Sequence, residues 1–288
     1  MFGQRRFSVR CATAALAVLV GIGAIAPIAE AVLLTVRVEN RAASDGTFLT
    51  PMWVGFHDAS FDLYDMGAPA SAGLEQIAED GDPTTLNGEF SAAQPSGTQG
   101  LITGPGPMLG DDAGEPPVID PGEITSLAID VDGSINRYFS YASMVIPSND
   151  AFIANGDPAA HEIFDAAGNF LGPVSILVPG SSVLDAGTED NTEMDAAFIN
   201  QGGPNTGDTT VGGVVGLHSG FIGSEQGPSG TPIILGGSNG LGATFDSIAA
   251  DFTRAGFEVA LITITPEPGS AVLLAAGAMM MLRRRKQD

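Results

Sequence analysis

Lysine and cysteine are almost missing from this chain of 288 residues: each occurs once, as Lys286 and Cys11. Arginine is scarce as well. Of the 11 Lys and Arg residues, seven sit at the two ends (Arg5, Arg6, Arg10, Arg283, Arg284, Arg285 and Lys286), which leaves only Arg37, Arg41, Arg137 and Arg254 between them. Against these stand nearly all of the 34 Asp and Glu residues, so the body of the chain is strongly anionic. That balance argues against nucleic acid as a partner, because phosphate binding needs clustered cations. Divalent cations, basic proteins and a saline exterior suit it better. Without a cysteine beyond the N-terminal segment no disulfide can staple the body, and stability must come from a core, with bound metal as a supplement. Catalytic patterns are missing too. His57, His161 and His218 show no zinc-ligand spacing, and no body cysteine can serve as a nucleophile. The expectation is a non-enzyme. The alternative is a secreted carbohydrate-active hydrolase, since two of the many carboxylates could form a hydrolytic pair.

What is present begins with two ends that read as addresses. Arg5, Arg6 and Arg10 precede an apolar stretch from Ala12 to Ala26 and the small-x-small tripeptide Ala29-Glu30-Ala31. This is the order of a secretory signal peptide cleaved after Ala31. An N-terminal membrane anchor is the alternative, but the apolar run is shorter than the ~20 residues of a span. At the other end, Pro266-Glu267-Pro268 is followed by an apolar run from Ala271 to Leu282 and the basic residues 283–286. This tripartite tail resembles the PEP-CTERM sorting signal of Gram-negative bacteria. The resemblance implies export, temporary retention at the inner membrane and processing by an exosortase-type enzyme. Independently of it, such a run halts in a bilayer with its basic cluster on the cytoplasmic side, snorkelling arginines making up for its shortness. A buried C-terminal helix is the other reading, and adjacent cations have no reason to follow one. The expected organisation is a leader over 1–31, one domain over 32–265 and a sorting tail over 266–288. Its place is the exterior or the cell surface, with transient membrane anchoring through the tail.

Between the ends, short apolar segments alternate with Gly and Pro turns. Leu33–Val38, Thr47–Asp58, Glu123–Asp132, Arg137–Ile146, Pro173–Val178 and Phe257–Ile264 read as strands. His161–Phe170 reads as a hairpin bending at 166–169, and residues 92–121 as long loops around brief extended pieces. Leu74, Ile77 and Ala78 have the spacing of a short amphipathic helix over Ser71–Asp80, ending at Gly81. Asp130-Val-Asp132-Gly133 and Glu79-Asp80-Gly81-Asp82 lack the full ligand pattern of an EF-hand loop and read as turns. Asp58, beside His57 at a strand end, is left without an assigned role. Many short strands without a repeat period predict an all-β fold, an antiparallel sandwich with long loops and one or two short helices.

Two acidic stretches stand out: Ile146-Pro-Ser-Asn-Asp150-Ala-Phe152 and Leu184-Asp185-Ala-Gly-Thr-Glu189-Asp190. The first delivers a carboxylate just past a strand. The second holds two carboxylates four residues apart, with Gly187 letting the backbone turn. Oxygen-rich loops of this kind suit calcium, which takes several carboxylate and carbonyl ligands in flexible geometry. Read for their residues alone, they are solvated turns of an anionic chain.

Together with Phe48-Leu-Thr-Pro-Met-Trp-Val-Gly-Phe-His-Asp58, Phe61-Asp-Leu-Tyr64 and Leu74-Glu-Gln-Ile-Ala-Glu-Asp80-Gly81, these stretches resemble the spondin domain in its bacterial form. Asp150 falls in a stretch similar to that family's Pro-Ser-Pro-Asp-aromatic motif, and Asp185 to Glu189 in one similar to its Asp-Ala-Gly-Thr-Asp motif. The resemblance covers most of 32–264. It implies a β-sandwich, calcium bound by Asp150, Asp185 and Glu189, and adhesion to extracellular polysaccharide or a cell-surface protein. Glu189 stands where the family usually has Asp, and Asp190 is the alternative third ligand.

Overall fold

The computed structural model describes residues 31–105, 117–197, 199–204, 206–224, 230–238 and 244–267. The expected leader apart from Ala31, residues 268–288 of the expected tail, and residues 106–116 of the Gly- and Pro-rich stretch lie outside the described residues. In chain order the elements are β1 (Val32–Asn40), β2 (Phe48–Leu49), β3 (Met52–His57), α1 (Ala72–Asp80), α2 (Thr84–Ala93), β4 (Thr98–Ile102), β5 (Ile124–Val131) and β6 (Tyr138–Ile146). There follow β7 (Ala151–Ala154), β8 (Val174–Pro179), a one-turn 3₁₀ helix (Gly180–Ser182), β9 (Leu184–Asp185), β10 (Gly216–Leu217) and β11 (Glu258–Pro266). The strands form a small sheet, ordered β5-β1-β11-β8, and a larger one, ordered β10-β9-β7-β6-β3-β4, with β2 joined to β6. Every strand pairing is antiparallel. This is the all-β sandwich expected.

The two sheets bury different patterns for a physical reason. On β1 the inward residues Leu34, Val36 and Val38 alternate with half-buried ones, because the small sheet keeps one face towards water. On β3 all six residues are buried. Met52, Val54 and Phe56 join the core between the sheets, whereas Trp53 packs on the other face with Ile77, Leu86 and Phe90 of the helices. β6 is shared in the same way, with Phe139, Tyr141 and Val145 facing the inter-sheet core and Ala142 facing the helices. The larger sheet is therefore covered on both sides. Helix α1 starts as expected, with the Ser71 hydroxyl accepting from the Leu74 amide at 3.2 Å, and stops at Gly81 in the left-handed region (φ 68°). Gly73 allows the helices to meet: a Cβ there would lie 2.7 Å from the Leu86 backbone.

Several elements differ from expectation. The single strand over 47–58 is two, divided at Thr50-Pro51 because proline lacks the N–H that would continue the ladder. Helix α2 falls in a stretch of weak helix formers and is held by burial of Leu86 and Phe90 and by the Asp82 carboxylate, which accepts from the Thr84 amide at 2.8 Å. The hairpin over 161–170 reduces to one bridge, Phe164 to Phe170. Glu79 and Asp80 belong to the last turn of α1 rather than to a free turn.

A histidine sits on the helix-facing side of the larger sheet. His57 is fully buried; its Nδ1 accepts from the Ala59 amide at 3.1 Å, so the ring proton sits on Nε2 and points to the Ser140 hydroxyl at 2.9 Å. Burial pushes its pKa down to about 4, against the opposing pull of Asp58. An unfolded histidine takes its proton near pH 6.5, so stability is lost as pH falls from there towards 4, by at most about 3 kcal/mol. Urea unfolding of wild type and His57→Gln at neutral and mildly acid pH should show their stability difference shrinking with acidity. A constant difference would rule out His57 as the source.

Candidate metal centre

The candidate carboxylates gather where β6 turns back into β7. The turn is closed by the Ser148 hydroxyl, which donates to the Val145 carbonyl at 2.7 Å and accepts from the Ala151 amide at 3.1 Å. Asp150, the last residue before β7, has no exposed surface. Because β7 pairs with β9, Ala151 lies opposite Asp185, and the Ala186 amide donates to the Asp150 carbonyl at 3.2 Å. The loop after β9 then wraps the Asp150 side chain. Its Oδ2 accepts from the amides of Thr188 (2.9 Å) and Glu189 (3.2 Å), while the buried Oδ1 has no hydrogen-bond partner. Gly187 makes the wrap possible, with φ 69° and room for no Cβ, which would come within 2.5 Å of the Val214 backbone.

The other two candidates surround this group. Asp185 accepts from the Gly187 amide at 2.7 Å on Oδ1 and from the Asn191 side-chain amide at 2.5 Å on Oδ2. Asn191 in turn accepts from His218 Nε2 at 3.0 Å, since His218 Nδ1 takes the Gly220 amide; burial pushes that imidazole down, so it is neutral. Glu189 is buried, accepts from the Asn149 amide at 3.3 Å and lies against Gly207, where any Cβ would overlap its carboxylate. Asp190 is exposed and turned to the Thr210 hydroxyl, 2.6 Å away. Glu189 is therefore the acid on the inner side.

Electrostatics set this turn apart. Burial, then the charges of Asp185 and Glu189, raise the Asp150 carboxyl to about 7, although two backbone amides pull it down. Burial likewise raises Glu189. No cation is among the leading influences on either group. A buried carboxylate oxygen without a hydrogen bond can accept a cation, and oxygen donors of this kind suit calcium rather than a thiolate- or imidazole-seeking metal. Among the described residues no three His, Cys, Asp or Glu side chains are disposed to hold a metal together. A cation here would draw on carbonyl, amide and water oxygens besides Asp150 and Asp185.

Glu79 and Glu193 are buried acids that no sequence motif marks. Glu79, on α1, is raised to about 7, chiefly by burial and opposed by a hydrogen bond from Thr188, which places it on the far side of the loop that wraps Asp150. Its only sequence signal is its place at the end of the apolar stripe of α1. Glu193 is a clamp: its carboxylate accepts from the amides of Ile222 (2.5 Å), Ile233 (2.7 Å) and Ile234 (3.0 Å), and its own amide donates to Asn149 Oδ1 at 2.9 Å. Nothing in the polar run around it marks it out. A cavity of about 10 Å³ beside it, lined by Asn149, Asn191, Glu193 and His218, has room for about one water. Contrary to the expectation that no serine sits in a Gly-x-Ser-x-Gly elbow, the sequence holds Gly236-Gly-Ser238-Asn-Gly240, which has those letters. Asn239 and Gly240 lie outside the described residues, and no strand leads into Gly236.

Glu193→Ala strips three amides of their acceptor and should cost about 3 kcal/mol or more, with Glu193→Gln falling between it and wild type. Urea unfolding measures both. A loss for Glu193→Ala within about 1 kcal/mol would show that the clamp contributes little.

Comparison of the chain with protein-family models gives no match, and comparison with curated proteins gives none either.

Proposed function

We propose that the chain is an exported, non-catalytic adhesion protein whose sandwich, spondin-like by its motifs, binds calcium at the turn of Asp150 and Asp185, with Glu189 beside them. It is sorted to the cell surface or the extracellular matrix, where it attaches to polysaccharide or to a surface protein, and its tail is processed by an exosortase-type enzyme. The observation that carries the calcium reading is Asp150 Oδ1, a fully buried carboxylate oxygen with no hydrogen bond, among carboxylates with no balancing cation. An ion at that oxygen would offset the desolvation and like-charge repulsion that hold the group near neutral pH. The hydrolase alternative has less behind it. Raised carboxyls suit a general acid, but Asp150 is sealed from solvent and the adjoining cavity has room for about one water.

Calcium should raise the unfolding temperature, with a stabilisation of about 2.7 kcal/mol once its concentration reaches a hundredfold the Kd. Asp150→Asn separates metal from fold, because the amide oxygen can still accept from Thr188 and Glu189. Without calcium this variant should be as stable as wild type or more so, and with calcium it should gain nothing. Differential scanning calorimetry of both proteins, with magnesium as a comparison ion, measures this. A full calcium response in Asp150→Asn would remove that residue from the site, and none in wild type would end the calcium reading.

A further inference from the structure

Strands β1 and β11 are neighbours at the centre of the small sheet and run antiparallel, with Leu34 opposite Pro266. The Glu267 amide donates to the Leu33 carbonyl at 3.0 Å, so the pairing persists to the last residue described. The chain thus enters and leaves the domain side by side at one pole. From Glu267 only four peptide steps lead to Ala271, where the apolar run begins. Fully extended, they reach about 14 Å.

The carboxylate turn stands at the other pole. Asn40, at the far end of β1, donates through its side-chain amide to the Thr47 and Ile119 carbonyls at 3.0 and 2.9 Å, and Phe48 pairs with Ile146 at the far end of β6. Asp150 follows directly. On the opposite sheet, Pro179 pairs with Glu258 at the start of β11, and the 3₁₀ turn carries the chain from there to Asp185. Nine residues of β6 separate the poles, roughly 30 Å at 3.3 Å per residue.

We propose that, while the C-terminal apolar run occupies a bilayer, the domain stands on its terminal pole, with lipid as that pole's neighbour and the carboxylate turn presented outward as the ligand-facing surface. This rests on reading residues 266–288 as a membrane-directed tail. The tether is shorter than the domain, so the terminal pole cannot leave the lipid surface. Lying flat would press a flank of a body with four arginines and about 30 acids onto anionic headgroups, whereas standing limits that contact to one end.

Single cysteines report the orientation, since Cys11 is the only native one and is replaced by Ser throughout. Leu171, 55% exposed, belongs to the terminal pole, because it leads into Val174, which pairs with Ile264. Ser182, exposed on the 3₁₀ turn, belongs to the outer pole. Leu171→Cys and Ser182→Cys, each labelled with a small fluorophore in the full chain, are reconstituted into phosphatidylethanolamine–phosphatidylglycerol vesicles containing a nitroxide headgroup lipid. The expected result is strong loss of fluorescence at position 171 and none at 182; Ile135→Cys, on the 132–136 turn of the same pole, serves if Leu171→Cys misfolds. Equal loss at both positions, or more at 182, in protein that floats with the vesicles overturns the orientation and leaves the anchor intact. If the full chain floats no better than one ending at Glu267, the anchor fails and the orientation falls with it.

Discussion

Burial of the larger sheet on both faces is the constraint on which the rest of the structure depends. With the small sheet on one side and the helices on the other, β3 and β6 have no position that can carry an unpaired charge. The polar groups inside are bonded in closed sets: His57 and the Asn155 amide meet at the Ser140 hydroxyl, and Ser143 exchanges contacts with Thr50. Charge is pushed to the strand ends. Asp150 is the first acid after β6, and even there the loop after β9 closes over it.

The sign of the Asp150 shift decides how that closure is understood. A carboxylate accepting two backbone amides is ordinarily held below its usual range. Here desolvation and the neighbouring Asp185 and Glu189 outweigh the amides. The amides therefore position the group without balancing its charge. Glu79 repeats the pattern across Thr188, so two buried carboxyls of raised pKa flank one loop.

The sequence disclosed what depends on near neighbours. Strands β1, β6 and β11 and helix α1, with its Ser71 and Gly81 caps, follow from local alternation, spacing and capping chemistry. Asp150, Asp185 and Glu189 were legible as acidic words, and Gly187 as the turn between two of them. What stayed hidden depends on partners far along the chain. β7 is four residues long and exists because β6 and β9 flank it. Helix α2 has weak intrinsic propensity and takes its stability from packing against Trp53. Glu193 resembles any other acid of its loop until residues 222, 233 and 234 arrive with their amides. No local pattern encodes such a contact.

The acidity of the chain then divides into two kinds of charge with different remedies. Outside, three arginines of the sandwich sit in half-exposed pairs, Arg37 with Glu39, Arg41 with Glu39 and Glu258, and Arg137 with Glu162, each contributing little in water. The remaining surface carboxylates repel one another across distances that physiological salt screens within about 8 Å. Screening of that kind does not reach Asp150, which touches no solvent. Monovalent salt should therefore relieve the surface and leave the buried turn as it is. A proton, or an ion coordinated directly by carboxylate oxygen, can offset the charge there, so the composition that makes the body anionic and the geometry that seals one carboxylate make separate demands on the medium.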